Sequence, residues 1–125
     1  MWIANNINGG TNANVIKLSS NDTLLGTFPV ASYFLHGIAI DSSGNAWVTD
    51  SQHNNVIELG VSGTTIGTYS VGSAPIGIAI DASGNVWVAN ANSNNVTELV
   101  GVAKGPQYFP YTGPQFPGGG NGGNY

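Results

Sequence analysis

"GIAIDSSGNAWVTDSQHNNVIEL" runs from Gly37 to Leu59, and "GIAIDASGNVWVANANSNNVTEL" runs from Gly77 to Leu99. Gly37 and Gly77, Trp47 and Trp87, and Glu58 and Glu98 are each 40 positions apart. A fixed period of this length marks a stacked supersecondary unit, which fixes the architecture before any local reading. Within one unit four short apolar runs alternate with turn residues: "GIAID" (37–41), "AWVTD" (46–50), "NVIEL" (55–59) and "TTIGTYSV" (64–71). Each has strand length and is rich in Val, Ile, Thr and aromatics. No apolar spacing of three and four is sustained, so no helix is expected.

The turns carry their own chemistry. In "DSSGN" and "DASGN", Asp41 or Asp81 is placed to accept a backbone N–H two residues on, and Gly44 or Gly84 to take positive φ. "SQHNN" and "NSNN" close the next hairpin with Asn, which tolerates the left-handed conformation. Each unit therefore reads as a four-stranded antiparallel meander. The innermost strand alternates Ile38 and Ile40 with the small Gly37 and Ala39, as a strand crowded near an axis requires. Four strands in about 40 residues is the dimension of a β-propeller blade.

Further copies flank these two. "WIANN" (2–6), "NVIKL" (14–18) and "LGTFPV" (25–30) repeat the second, third and fourth strands, and "PQYFPY" (106–111) is a degraded fourth strand. Pro106 and Pro110 are tolerable there because the outermost strand is an edge. The fold class read from the sequence is all-β, a partial β-propeller of about 2.75 blades spanning 2–30, 37–71 and 77–111. The innermost strand of the first blade is missing. A Gly/Pro-rich tail, 112–125, has no apolar period to join a core.

The motif "PIGIAIDASGNVWVANANSNNVTEL" (75–99) resembles the NHL-repeat propellers and their relatives, the streptogramin (virginiamycin B) lyase family. The shared pattern is Pro-x-Gly-apolar-Ala-apolar-Asp, a Gly-Asn turn, Trp-Val, then Asn-x-apolar, and the resemblance covers about residues 2–111. It implies a ring of six or seven blades, of which this chain holds fewer than three. The chain is then either part of a larger propeller or a unit that assembles with its own copies, since open blade faces expose apolar area and unpaired edges.

Composition bounds the function. The chain has 125 residues, a net charge of −4, only 6% charged side chains and no cysteine. Without a basic patch, nucleic acid and anionic membrane surfaces are not expected partners. No apolar run reaches transmembrane length, so no membrane insertion is expected. The charge-poor, Asn-rich composition suits an extracellular or cell-envelope location. Met1 is followed at once by "WIANN", which is not a signal peptide, so an exported protein would carry its leader outside this chain.

The lyase resemblance implies histidines and a carboxylate working with Mg2+ near the central opening. His36 precedes the inner strand as in that family's "PHGI" variant, although Leu35 replaces the Pro. Asp50 stands where the other copies have Asn5 and Asn90, and His53 lies in the following hairpin. His36, Asp50 and His53 could bind a divalent metal if they converge. The strand reading puts the two histidines at opposite ends of two strands, about 17 Å apart, and so favours ordinary surface or capping roles. Trp2, Trp47 and Trp87 recur in every blade and are expected in the inter-blade core. Glu58 and Glu98 are expected on solvated faces. No cofactor is predicted, and Mg2+ enters only under the lyase alternative. The expectation for function is a non-catalytic binding or structural module, taking itself, the remaining blades, or a protein or small-molecule ligand as partner. The alternatives are a fragment of a metal-dependent lyase and a subunit of an extracellular assembly or filament.

Overall fold

The computed structural model describes residues 1–6 and 13–103. All regular structure in them is strand: β1 (Trp2–Asn5), β2 (Asn14–Leu18), β3 (Leu24–Pro29), β4 (Leu35–Ile40), β5 (Ala46–Asp50), β6 (Asn55–Leu59), β7 (Thr65–Ser70), β8 (Pro75–Ile80), β9 (Val86–Asn90) and β10 (Asn95–Leu99). They form three antiparallel meanders in chain order: β1-β2-β3, β4-β5-β6-β7 and β8-β9-β10. The chain is an all-β partial propeller. The expected fourth strand of the third blade, 106–111, and the tail, 112–125, lie outside the described residues.

The repeated turns explain why the sheets are alike. Asp41 Oδ1 accepts the N–H groups of Ser43 (2.9 Å) and Asn45 (3.0 Å), and its Oδ2 accepts Asn45 Nδ2 (3.1 Å) and Trp47 Nε1 (2.9 Å). Asp81 repeats all four bonds with Ser83, Asn85 and Trp87. Gly44 and Gly84 have φ of 87° and 80°. One carboxylate thus closes the turn and pins the indole of the next strand. The four donors, Trp87 Nε1 foremost, hold the exposed Asp81 carboxyl down at about 2. Its folded form therefore binds the proton less readily than its unfolded form. The stabilisation is present above the ordinary aspartate range and is lost as pH falls through about 2.

Two cores follow from the alternation along each strand. Val15 of the first sheet packs with Leu35, Ala46, Val48, Ile57 and Leu59 of the second. Trp47 and Val56, on the other face of the second sheet, pack with Val86 and Val88 of the third. Every residue of β5 is buried, whereas β9 alternates buried and exposed. Trp47 and Trp87 occupy equivalent places, opposite Ala39 and Glu58 and opposite Ala79 and Glu98. The expectation that both indoles are buried holds for Trp47, at 0% exposure, and fails for Trp87, at 40%. No fourth sheet among the described residues covers the outer face of the third.

The glycines of the inner strands register the same asymmetry. A Cβ at Gly37 would lie 2.5 Å from the Ile76 carbonyl oxygen of β8, whereas at Gly77 the nearest atom is Ala89 Cβ at 3.6 Å. Gly37 lets two inner strands approach, whereas a Cβ at Gly77 would make only an ordinary contact within its own sheet.

Two predictions follow from these contacts. Asp41→Ala leaves the buried Trp47 indole N–H without an acceptor and should destabilise by about 2 kcal/mol in urea unfolding. Asp81→Ala, at the exposed copy of the same turn, should cost measurably less. Gly37→Ala should destabilise by about 2 kcal/mol through overpacking. Gly77→Ala should be nearly neutral in the same assay.

Candidate functional site

β5 ends in Asp50 where β1 and β9 end in Asn5 and Asn90. In the flanking sheets this amide bridges to the next strand: Asn5 Nδ2 donates to Asn14 Oδ1 (3.2 Å), and Asn90 Nδ2 to Asn95 Oδ1 (2.9 Å). Asp50 pairs with Asn55 in the same register. A carboxylate has no proton to donate, and Asn55 Oδ1 is buried without a partner. The middle sheet breaks its own repeat at this point.

The carboxylate serves the loop instead. Asp50 is 1% exposed. Its Oδ1 accepts Ser32 Oγ (2.6 Å) and the N–H groups of Gln52 (3.0 Å) and His53 (3.3 Å), while Oδ2 lies 2.8 Å from His53 Nδ1. Ser32 sits in the connector between the first two sheets, so one buried charge ties that connector to the β5–β6 loop. A buried carboxylate is sustained by this number of donors. The His53 side chain is about half exposed, and in the tautomer that carries a proton on Nδ1 it donates to Asp50 Oδ2. Beside the pair lies an open groove of about 340 Å3, bordered by Pro29, Val30, Asp50, His53, Asn55 and Thr68.

Of the three residues singled out in the sequence, the fold joins two. His36 is exposed on β4. The expectation that the histidines lie at opposite ends of the strands is corrected: Leu35 pairs with Asp50, because an antiparallel hairpin returns the end of β5 to the start of β4. Even so, among the described residues no three His, Cys, Asp or Glu side chains gather closely enough to hold a metal ion. These residues do not fit Mg2+, which prefers several oxygen ligands in octahedral array, because both oxygens of Asp50 are already engaged by donors. Nor is there a hydrolytic triad here. Ser32 donates to the carboxylate and not to the imidazole, so no base is set on its hydroxyl.

Glu58 also departs from expectation. It is buried, accepts Tyr69 OH at 3.0 Å, and lies 3.5 Å from Asn45 Nδ2. Burial raises its carboxyl above the usual range, opposed by the Tyr69 bond and reinforced by the nearby Asp41 charge. Burial likewise raises the Tyr69 hydroxyl, with Glu58 adding to it. Glu98, its copy in the third sheet, is exposed. A third sheet covers Glu58, and none among the described residues covers Glu98.

Sequence reading missed Ser32 and Asn55. Asn55 was accessible as the repeat partner of a position that changes from Asn to Asp. Ser32 lies in a connector with no counterpart of the same length, so the period carried no signal for it.

No protein-family model matches the chain, and no curated protein does. Solved structures match in fold. A streptogramin B lyase structure is 22% identical with a TM-score of 0.62, over 73% of this chain and 32% of that one. The hydrazine synthase of Kuenenia stuttgartiensis is 16% identical with a TM-score of 0.59, over 74% and 35%. A protein of unknown function from Bacteroides caccae is 15% identical with a TM-score of 0.51, over 71% and 39%. The chain thus spans about a third of the length of the structures it matches. At these identities the likeness is one of fold, a streptogramin lyase-like propeller.

Asp50→Asn restores the amide that the other two sheets use, and its Nδ2 can satisfy Asn55 Oδ1. It should retain most of the stability while releasing His53, seen as loss of the Nδ1–H signal in nitrogen-15 NMR. Asp50→Ala satisfies neither neighbour and should cost about 2 kcal/mol in urea unfolding.

Proposed function

We propose that the chain is a non-catalytic β-propeller module, structural or ligand-binding, that is completed by further blades supplied by its own copies or by the rest of a larger propeller. The observation that carries this reading is the contrast between Trp47, wholly buried, and Trp87, 40% exposed at the same place in the repeat. On the other terminal sheet Ile3 is exposed, where its counterpart Val48 is wholly buried. Apolar burial stabilises by roughly 25 cal/mol per Å2, so covering even a few hundred Å2 per face favours association. Few charges oppose it. A contact that closes gives a ring, and one that does not gives a filament. The charge-poor, Asn-rich surface suits an extracellular or cell-envelope setting for either.

The lyase reading draws on the fold likeness to streptogramin B lyase and on the Asp50–His53 pair. It is the weaker one, because the donor set does not fit Mg2+. Calorimetric titration with Mg2+ tests it, and saturable binding lost in Asp50→Asn would favour it over the module.

Sedimentation velocity at micromolar concentration tests the module reading. The expected mass exceeds that of the 12.8 kDa chain and rises with concentration. Val96→Asp, on the open face of the third sheet, should lower it. A single folded species at the monomer mass, unchanged on concentration, would reject completion by copies.

A further inference from the structure

We propose that the inner edge of β1, unpaired among the described residues, is a strand-acceptor site for a β-strand of this repeat's own inner type, Gly-apolar-Ala-apolar-Asp, supplied from outside those residues. The proposal deepens the module reading by naming what covers one particular edge.

The two complete examples lie in the same chain. β5 is paired on its inner side by β4, and β9 by β8. β1, the counterpart of β5 and β9, has β2 on one side and no strand on the other among the described residues. Unpaired strand edges of this kind take up an extended segment through main-chain hydrogen bonds. The internal pairs fix the register. Ala39 lies opposite Trp47 and Ala79 opposite Trp87, while Ile38 lies opposite Val48 and Ile78 opposite Val88. A donor strand in that register sets its Ala against Trp2 and its first apolar residue against Ile3.

Two features select the donor beyond its backbone. The first is the terminal aspartate. Asp41 and Asp81, each one residue beyond an inner strand, accept the indole N–H of Trp47 and Trp87 at 2.9 and 3.0 Å. Trp2 holds the same place in β1, its ring 5.9 Å from Phe28, and among the described residues its Nε1 has no acceptor. Charge favours an aspartate here more than in the middle sheet. There the neighbour of the Asp41 turn is Glu58, whose carboxyl Asp41 raises further. In the first sheet the residue at the Glu58 position is Lys17, and its Nζ lies 4.8 Å from the centre of the Trp2 ring. Among the described residues, the one sheet without an inner strand is the one that carries Lys17 where the others carry Glu58 and Glu98.

The second feature is the glycine. β1 already packs on β4 as β5 packs on β8. A donor strand would enter beside β4 as β4 lies beside β8, where Gly37 leaves no room for a Cβ against the Ile76 carbonyl. A residue larger than Gly at that place of the donor would strike the β4 backbone near His36, the counterpart of Ile76.

The test uses the full chain and a fluorescently labelled peptide with the sequence of residues 75–85, PIGIAIDASGN. Saturable anisotropy and slowed amide exchange within residues 2–5 are expected. Trp2→Phe keeps an aromatic ring and removes the N–H, and should weaken binding about tenfold. The D81A peptide should weaken it by a similar factor, with no further loss when the two changes are combined. Raised salt should weaken the parent peptide more than the D81A peptide, through Lys17. The G77V peptide should not bind. Absence of saturable binding would overturn the proposal, as would equal binding of a scrambled peptide. So would exchange protection falling on β9 and β10 instead of β1, or full protection of residues 2–5 before any peptide is added. A chain that sediments as a monomer yet binds the peptide keeps this site and rejects self-association, so the two readings fail separately.

Discussion

The carboxylate of Asp41 does several jobs with two oxygens. It closes a five-residue turn by accepting two backbone N–H groups, fixes the Asn45 amide, and holds the indole of Trp47 at the start of the next strand. That indole is the largest wholly buried side chain between the second and third sheets, and it stacks on Tyr69 at 5.2 Å. The local turn and the inter-sheet core are therefore one structure. A polar bond made within six residues decides where a large apolar surface points, and the next sheet is built against that surface. Asp81 makes the same bonds, so the third sheet ends with its own indole already positioned.

Propeller blades cannot bury both faces alone. β5 achieves it because a sheet lies on either side, whereas β9 buries only the face that meets the second sheet. The cost of an uncovered face is hydrophobic, and at an uncovered inner edge it is also one of unpaired backbone groups. Among the described residues, the first sheet carries both kinds of exposure and the third sheet carries the first. Differences in burial between like residues, such as Glu58 and Glu98 or Gly37 and Gly77, measure the presence of a neighbour and not any difference in local sequence.

Against this uniform background the Asp50 cluster stands out because it departs from the repeat. Replacing a bridging Asn by Asp removes one cross-strand donor, strands Asn55 Oδ1, and gathers Ser32 and His53 around a buried charge. The outcome is a pinned loop beside a groove. It is chemically distinct from the two flanking sheets, although the strands that carry it are the same.

The sequence by itself determined the repeat, the strand order within each sheet, the turn-closing role of Asp41 and Asp81, the positive φ of Gly44 and Gly84, and hairpins that use a left-handed Asn, a role the structure gives to Asn54 and Asn94. These follow from contacts within a few residues or from the 40-residue period, both of which a single sequence displays. It also flagged Asp50 as an exception. Only the tertiary structure decided that Trp47 is sealed while Trp87 is open, that Glu58 is buried against Tyr69, that His36 stands at the same end as His53 without joining it, and that Ser32 reaches Asp50. Those outcomes depend on which sheet lies beside which and on where a connector crosses between them. Repeat-equivalent residues have the same local chemistry, so the period makes identical predictions for positions whose surroundings differ.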